Sequence, residues 1–103
     1  MNQVSIQGSW THSFEEDEGD VLVYRPTHGF AFPPARGRET LEFVAGGELT
    51  ERIPGPDDRP RDRAGSWTAL GMNRFRLSGV TNGSGRVIEV LEHTPLILKI
   101  RKL

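Results

Sequence analysis

The chain has no cysteine, no long apolar run and no excess of charge of either sign. Each absence excludes a class of function. Without cysteine there are no disulfide staples, no thiolate nucleophile and no cysteine-ligated zinc or iron–sulfur site. The longest apolar stretches are Val21-Leu22-Val23-Tyr24 and Leu96-Ile97-Leu98, far short of the ~20 residues needed to span a bilayer as a helix. A net charge of −1 provides no bulk field to gather nucleic acid or an anionic membrane. Neither nucleic acid nor membrane is therefore an expected partner. The amino terminus, from Met1 to Ile6, lacks the basic-then-apolar pattern of a secretory signal, so the expected location is the cytoplasm.

What is present fits one all-β domain spanning residues 1–103. Apolar residues form 35% of the chain and charged residues 26%, enough for one thin core with a well-solvated exterior. No helical apolar period is sustained. Short runs of β-formers recur, closed by Gly, Pro or Asn. They place strands at about 4–14, 20–25, 38–44, 48–53, 65–70, 74–78, 86–93 and 96–102. Alternation is clearest at Leu41/Phe43, Phe75/Leu77 and Leu96/Leu98/Ile100.

Ala45-Gly46-Gly47, Gly71-Met72-Asn73 and Thr94-Pro95 read as tight hairpin turns, and 81–85 as a looser one. Residues 26–37 and 54–64 are long and proline-bearing, so both are expected to leave the sheet. Eight short strands with mostly short links predict a small antiparallel up-and-down barrel, in which closure removes exposed edges.

Gly8-Ser9-Trp10-Thr11 recurs as Gly65-Ser66-Trp67-Thr68 and uses both tryptophans of the chain. Glycine lets the backbone bend or another chain pass close, and the tryptophan then plugs the barrel on the same face. Each copy is expected to open a strand. With Ile6, Leu41, Phe43, Leu49, Ile53, Phe75, Leu77, Val90, Leu98 and Ile100, these tryptophans largely fill so narrow a barrel.

A Gly-x-Trp opening the first strand resembles the lipocalin and wider calycin group. The second copy, with His12-Ser13-Phe14-Glu15-Glu16-Asp17 and Phe32-Pro33-Pro34-Ala35-Arg36-Gly37-Arg38, is similar to short bacterial lipocalin-like domains. The resemblance implies a barrel fold. It departs from full-length lipocalins in its short length and its lack of cysteines and of a carboxy-terminal helix.

Charge is unevenly distributed. Through Glu51 there are nine acidic and three basic residues, and from Arg52 onward five acidic and ten basic. In an up-and-down order the acidic run 15–20 shares one barrel end with the tight hairpins and His93, while both long loops share the other. That second end collects Arg25, His28, Phe30, Phe32, Arg36, Arg38, Arg59 and Arg61. These eight form the expected binding site for a small amphipathic or anionic ligand, since guanidinium groups match carboxylates and phosphates in a two-pronged geometry. The competing use of the arginines is pairing with Asp57, Asp58 and Asp62 in a solvated loop.

The acidic run lacks the spacing of a calcium loop. His12 and His93, with Glu92 and Glu15, offer metal-ligand types, although a hydrogen-bonded histidine plugging the barrel end is the simpler use. Glu51 and Glu89 are the carboxylates able to meet in the interior. No nucleophile elbow, phosphate loop or dinucleotide fingerprint is present. The chain is therefore expected to be a non-enzymatic binding domain, without metal or cofactor, and a monomer or small homo-oligomer. The alternative is a protein-interaction or protease-inhibitor-like module using loops 26–37 and 54–64.

Overall fold

The computed structural model describes residues 6–35, 37–54, 60–79 and 86–103. Eight strands form: β1 (Gly8–His12), β2 (Val21–Pro26), β3 (Thr40–Val44), β4 (Glu48–Pro54), β5 (Pro60–Gly71), β6 (Arg74–Ser78), β7 (Arg86–Thr94) and β8 (Ile97–Lys102). A short 3-10 turn, Phe14–Glu16, follows β1. All neighbouring strands pair antiparallel, and the sheet closes into a barrel. The expected small antiparallel barrel is what the chain forms. Among the described residues no helix is long and apolar enough to cross a membrane.

From β3 to β8 the strands follow one another in simple up-and-down order. The start differs. β1 lies between β2 and β3 and is antiparallel to both, with Trp10 opposite Pro26 on one side and Leu41 on the other. β2 and β3 therefore run in the same direction, and the intervening chain must return along the barrel before β3 can begin. It does so across the outer face of β1. Alternation places Ser9 and Thr11 opposite the core-facing Trp10, yet Thr11 is only 7% exposed. Thr27 and Thr40 cover it, in a hydroxyl chain running Ser9 to Thr27 (2.7 Å), Thr27 to Thr11 (2.9 Å) and Thr11 to Thr40 (2.9 Å). The segment 27–39 is a strap.

The strap reverses the expected distribution of loops. The three tight turns, at 45–47, 71–73 and 95–96, share one end, hereafter the hairpin end. The acidic β1–β2 link, the end of β4 and the start of β5 lie at the other. The expectation that the acidic run accompanies the hairpins and His93 is thus corrected. The turns themselves follow the sequence: Met72 and Asn73 have φ of 52° and 64°, the paired left-handed geometry of a two-residue hairpin, and Gly46 and Gly47, in the three-residue link 45–47, have φ of 95° and 97°.

Other boundaries move for physical reasons. The first strand reaches only His12, because the chain turns into the 3-10 turn after Ser13, whose N–H still donates to the Val23 carbonyl while its hydroxyl donates to the Glu16 carboxylate. Its expected beginning at residues 4 and 5 lies outside the described residues, as does the turn at 81–85. β5 begins at Pro60, five residues earlier than expected, and Pro54 pairs with Pro60. Proline is tolerated there because both sit at strand termini, and Arg52 and Asp62 meet across the pair at 3.0 Å. Consequently Gly8 opens a strand whereas Gly65 lies within one. A Cβ at Gly65 would lie 2.2 Å from the Ser78 carbonyl oxygen, and one at Gly79 would lie 3.0 Å from the Gly65 Cα. Glycine at 65 permits β5 and β6 to pass in close contact.

The core holds Ile6, Trp10, Tyr24, Leu41, Phe43, Leu49, Phe75, Leu77, Ile88, Val90, Leu98 and Ile100. Trp67 packs against it half-buried, edge-on to Phe43 at 6.0 Å. Ile53 is only partly buried, and Leu96 sits in the β7–β8 turn, 70% exposed, so the β8 alternation starts at Leu98. Each such side chain contributes about 1.5–3 kcal/mol on burial. The barrel interior is occupied by its own side chains.

Candidate functional site

The strap decides the fate of the expected arginine site. Arg25, near the end of β2, donates Nε and Nη2 to the two carboxylate oxygens of Glu16 (2.9 and 2.7 Å) and Nη1 to the Leu96 carbonyl (3.0 Å). Its guanidinium also lies 5.0 Å from the Phe30 ring centroid. Arg38 makes a second two-pronged pair with Glu15 and donates to the His12 and Pro33 carbonyls. It stacks on both Phe14 (4.6 Å) and Phe32 (5.2 Å). Phe30 and Phe32 meet edge-on at 4.7 Å.

The structure therefore brings Arg25, Phe30, Phe32 and Arg38 to one face, where they fasten the strap over the barrel wall. The acidic run supplies their counter-charges. This corrects the expected separation of acidic and basic ends. Hydrogen bonding to Arg25 holds the Glu16 carboxyl down at about 2, with a further contribution from Ser13. Arg38 lowers Glu15 in the same way. His28 is exposed on the strap. Arg36 and Arg59 lie outside the described residues, as do Asp57 and Asp58, and only the backbone of Arg61 is described, opposite Ile53 in β5.

The histidines do not converge. His12 Nε2 contacts both Asp17 carboxylate oxygens (2.9 and 3.1 Å) and its ring stacks on Tyr24 at 4.9 Å. Asp17 also accepts the Val23 N–H at 2.8 Å. His93 faces Trp10 instead, edge-on at 5.6 Å. Among the described residues no three His, Asp or Glu side chains gather as a metal site.

Nor do Glu51 and Glu89 meet. Glu89 pairs with Arg101 across the β7–β8 ladder at 2.9 Å, whereas Glu51 is fully buried. The partner that sequence reasoning missed is Glu39, hydrogen-bonded to Glu51 and to the Tyr24 hydroxyl, which donates to it at 2.7 Å. Burial, followed by the Glu51 carboxyl, pushes Glu39 up to about 7. Burial pushes Tyr24 well above the ordinary phenol range.

A concave site lies at the hairpin end. It is an open cleft of about 420 Å³ lined by Gln7, Gly8, Ser9, Trp10, Pro26, His93, Thr94 and Pro95. Its volume falls in the ~300–1,000 Å³ range of small-molecule sites. The start of β1, the end of β2 and the β7–β8 turn supply the walls. Trp10 is 5% exposed, and its Nε1, a donor with no acceptor capacity, is buried without a hydrogen-bond partner among the described residues. That nitrogen sits against Gly8, whose φ of 128° suits glycine and whose Cβ, if present, would stand 3.7 Å away. Burial lowers the His93 pKa below the ordinary imidazole value. No protein-family model, curated protein or solved structure matches this chain.

Proposed function

We propose that this chain is a non-enzymatic binding domain that holds a small, largely apolar ligand in the cleft at the hairpin end of a lipocalin-like barrel. The observation that carries this reading is the Trp10 indole in the wall of an open, mostly apolar cleft, its Nε1 buried without a hydrogen-bond partner among the described residues. A buried donor without a partner costs about 1–3 kcal/mol, and a bound acceptor recovers it. The filled core argues for a ligand seated at the barrel end, unlike a deep-cavity lipocalin. Arg25 and Arg38 are committed to Glu16 and Glu15, which moves the ligand away from them. A cysteine-free chain is compatible with the reducing cytoplasm.

Native mass spectrometry of freshly purified protein tests the reading. A retained small molecule, lost in a Trp10→Phe variant, supports it. A ligand-free spectrum, together with no uptake of apolar aromatic probes, removes it.

The pinned strap supports a second reading, an inhibitor-like protein surface. Pro33 and Pro34 are exposed while the Pro33 carbonyl is held by Arg38 at 2.8 Å, so docking there loses little entropy. Inhibition of a protease that disappears on Pro33→Ala and Pro34→Ala substitution supports this alternative. No inhibition across serine, cysteine and metalloproteases counts against it.

A further inference from the structure

Within the binding reading above, on which this inference rests, the inventory of the cleft also specifies the chemical class of its ligand. None of the eight lining residues is Asp, Glu, Lys or Arg. Among the described residues, Arg25 binds Glu16 and the Leu96 carbonyl, and Lys99 pairs with Glu92 at 3.5 Å. An anion entering the cleft would lose hydration without meeting a counter-charge, which is costly.

Gln7, Ser9 and His93 can both donate and accept, while two polar groups of the lining residues are committed as donors. Trp10 Nε1 can only donate. Thr94 Oγ1 already accepts the Leu96 and Ile97 N–H groups at 3.1 and 3.2 Å, which leaves its own hydroxyl hydrogen to give. Four of the lining groups are flat or rigid: the indole, the His93 ring edge-on to it, Pro26 and Pro95.

We propose that the cleft selects a flat, uncharged, apolar molecule bearing one hydrogen-bond-accepting oxygen, such as an aryl ketone or ester, over its anionic counterpart. The Trp10 N–H reads the acceptor oxygen. The proline and aromatic surfaces hold the ring.

Equilibrium dialysis at neutral pH with three probes of one shape tests this: 2-acetonaphthone, a neutral ketone; 2-ethylnaphthalene, which lacks the acceptor; and 2-naphthoate, the anion. The ketone is expected to bind about five- to ten-fold tighter than the hydrocarbon, the yield of one neutral hydrogen bond, and tighter still than the anion. Trp10→Phe keeps the aromatic body and is expected to erase the ketone's advantage while hydrocarbon binding persists. Naphthoate binding as tightly as the ketone overturns the inference and leaves the cleft a binding site. An unchanged ketone advantage in the folded Trp10→Phe variant overturns the role of the indole. If none of the three probes binds the wild-type protein, the binding reading itself fails.

Discussion

The Tyr24 hydroxyl donates to the Glu39 carboxylate at 2.7 Å, in the barrel wall where Glu39 also meets the buried Glu51. Tyr24 approaches from β2, Glu51 from β4, and the positive charge of Arg86 from β7 acts on Glu39 as well. The site joins the strap to the barrel, since the Glu39 carbonyl accepts the His12 N–H at 2.8 Å.

This arrangement sets a pH dependence. An acid whose pKa rises on folding, here from 4.5 to about 7, binds more protons folded than unfolded between those values. Stability therefore falls as pH rises from 4.5 to about 7 and levels off above. Glu16 works in the opposite sense. Its lowered value of about 2 contributes stability present above 4.5 and lost as pH falls from there toward 2, moderated by solvent screening. Thermal melts from pH 3 to 8 should show a maximum near the ordinary carboxylate range. Glu39→Gln, which keeps a hydrogen-bond acceptor for Tyr24, should flatten the decline toward neutral pH and raise Tm at pH 8 by several degrees.

Arg38 fastens the strap through Glu15, two carbonyls and two aromatic rings. Its side chain is 10% exposed. Arg38→Ala should cost about 1–3 kcal/mol in urea unfolding, because charge-assisted bonds and stacking are lost together. Arg38→Lys should recover only part of this, since an ammonium lacks the planar fork. Hydrogen exchange should accelerate in residues 27–39 first, with the β6–β7 ladder unaffected.

The glycines of the strands and turns are separable. Gly65→Ala forces a methyl to 2.2 Å from the Ser78 carbonyl and should cost about 3 kcal/mol or more, or prevent folding. Gly46→Ala meets open space, with only the strain of φ 95°, and should cost about 1–2 kcal/mol. Urea midpoints of the two variants check the difference.

Strand periodicity made much of the barrel legible. Leu41/Phe43, Phe75/Leu77 and Leu98/Ile100 all face the core as their alternation indicates. Local pattern carries no information about which strand pairs with which, so the placement of β1 between β2 and β3 was not readable. That single topological fact exchanged the loops between ends, bringing Glu15 to Arg38 and Glu16 to Arg25. Charge distribution along the chain had suggested they were apart.

Tyr24 looked like part of an apolar run, and its acidic partner Glu39 lies fifteen positions away at the far end of the strap. Trp10 was legible as a core plug. Its contact with His93 depends on β2 and β8 closing the barrel between their strands, which no spacing in the sequence announces.

The most direct test of the account is a nitrogen–proton correlation spectrum of labelled protein titrated with 2-acetonaphthone. Saturable shifts are expected of the Trp10 indole N–H and of the backbone amides of Gly8, His93 and Thr94, with the strap residues Phe30, Phe32 and Arg38 unmoved. Absence of shifts at Trp10, or shifts centred on Phe30, Phe32 and Arg38, would contradict it.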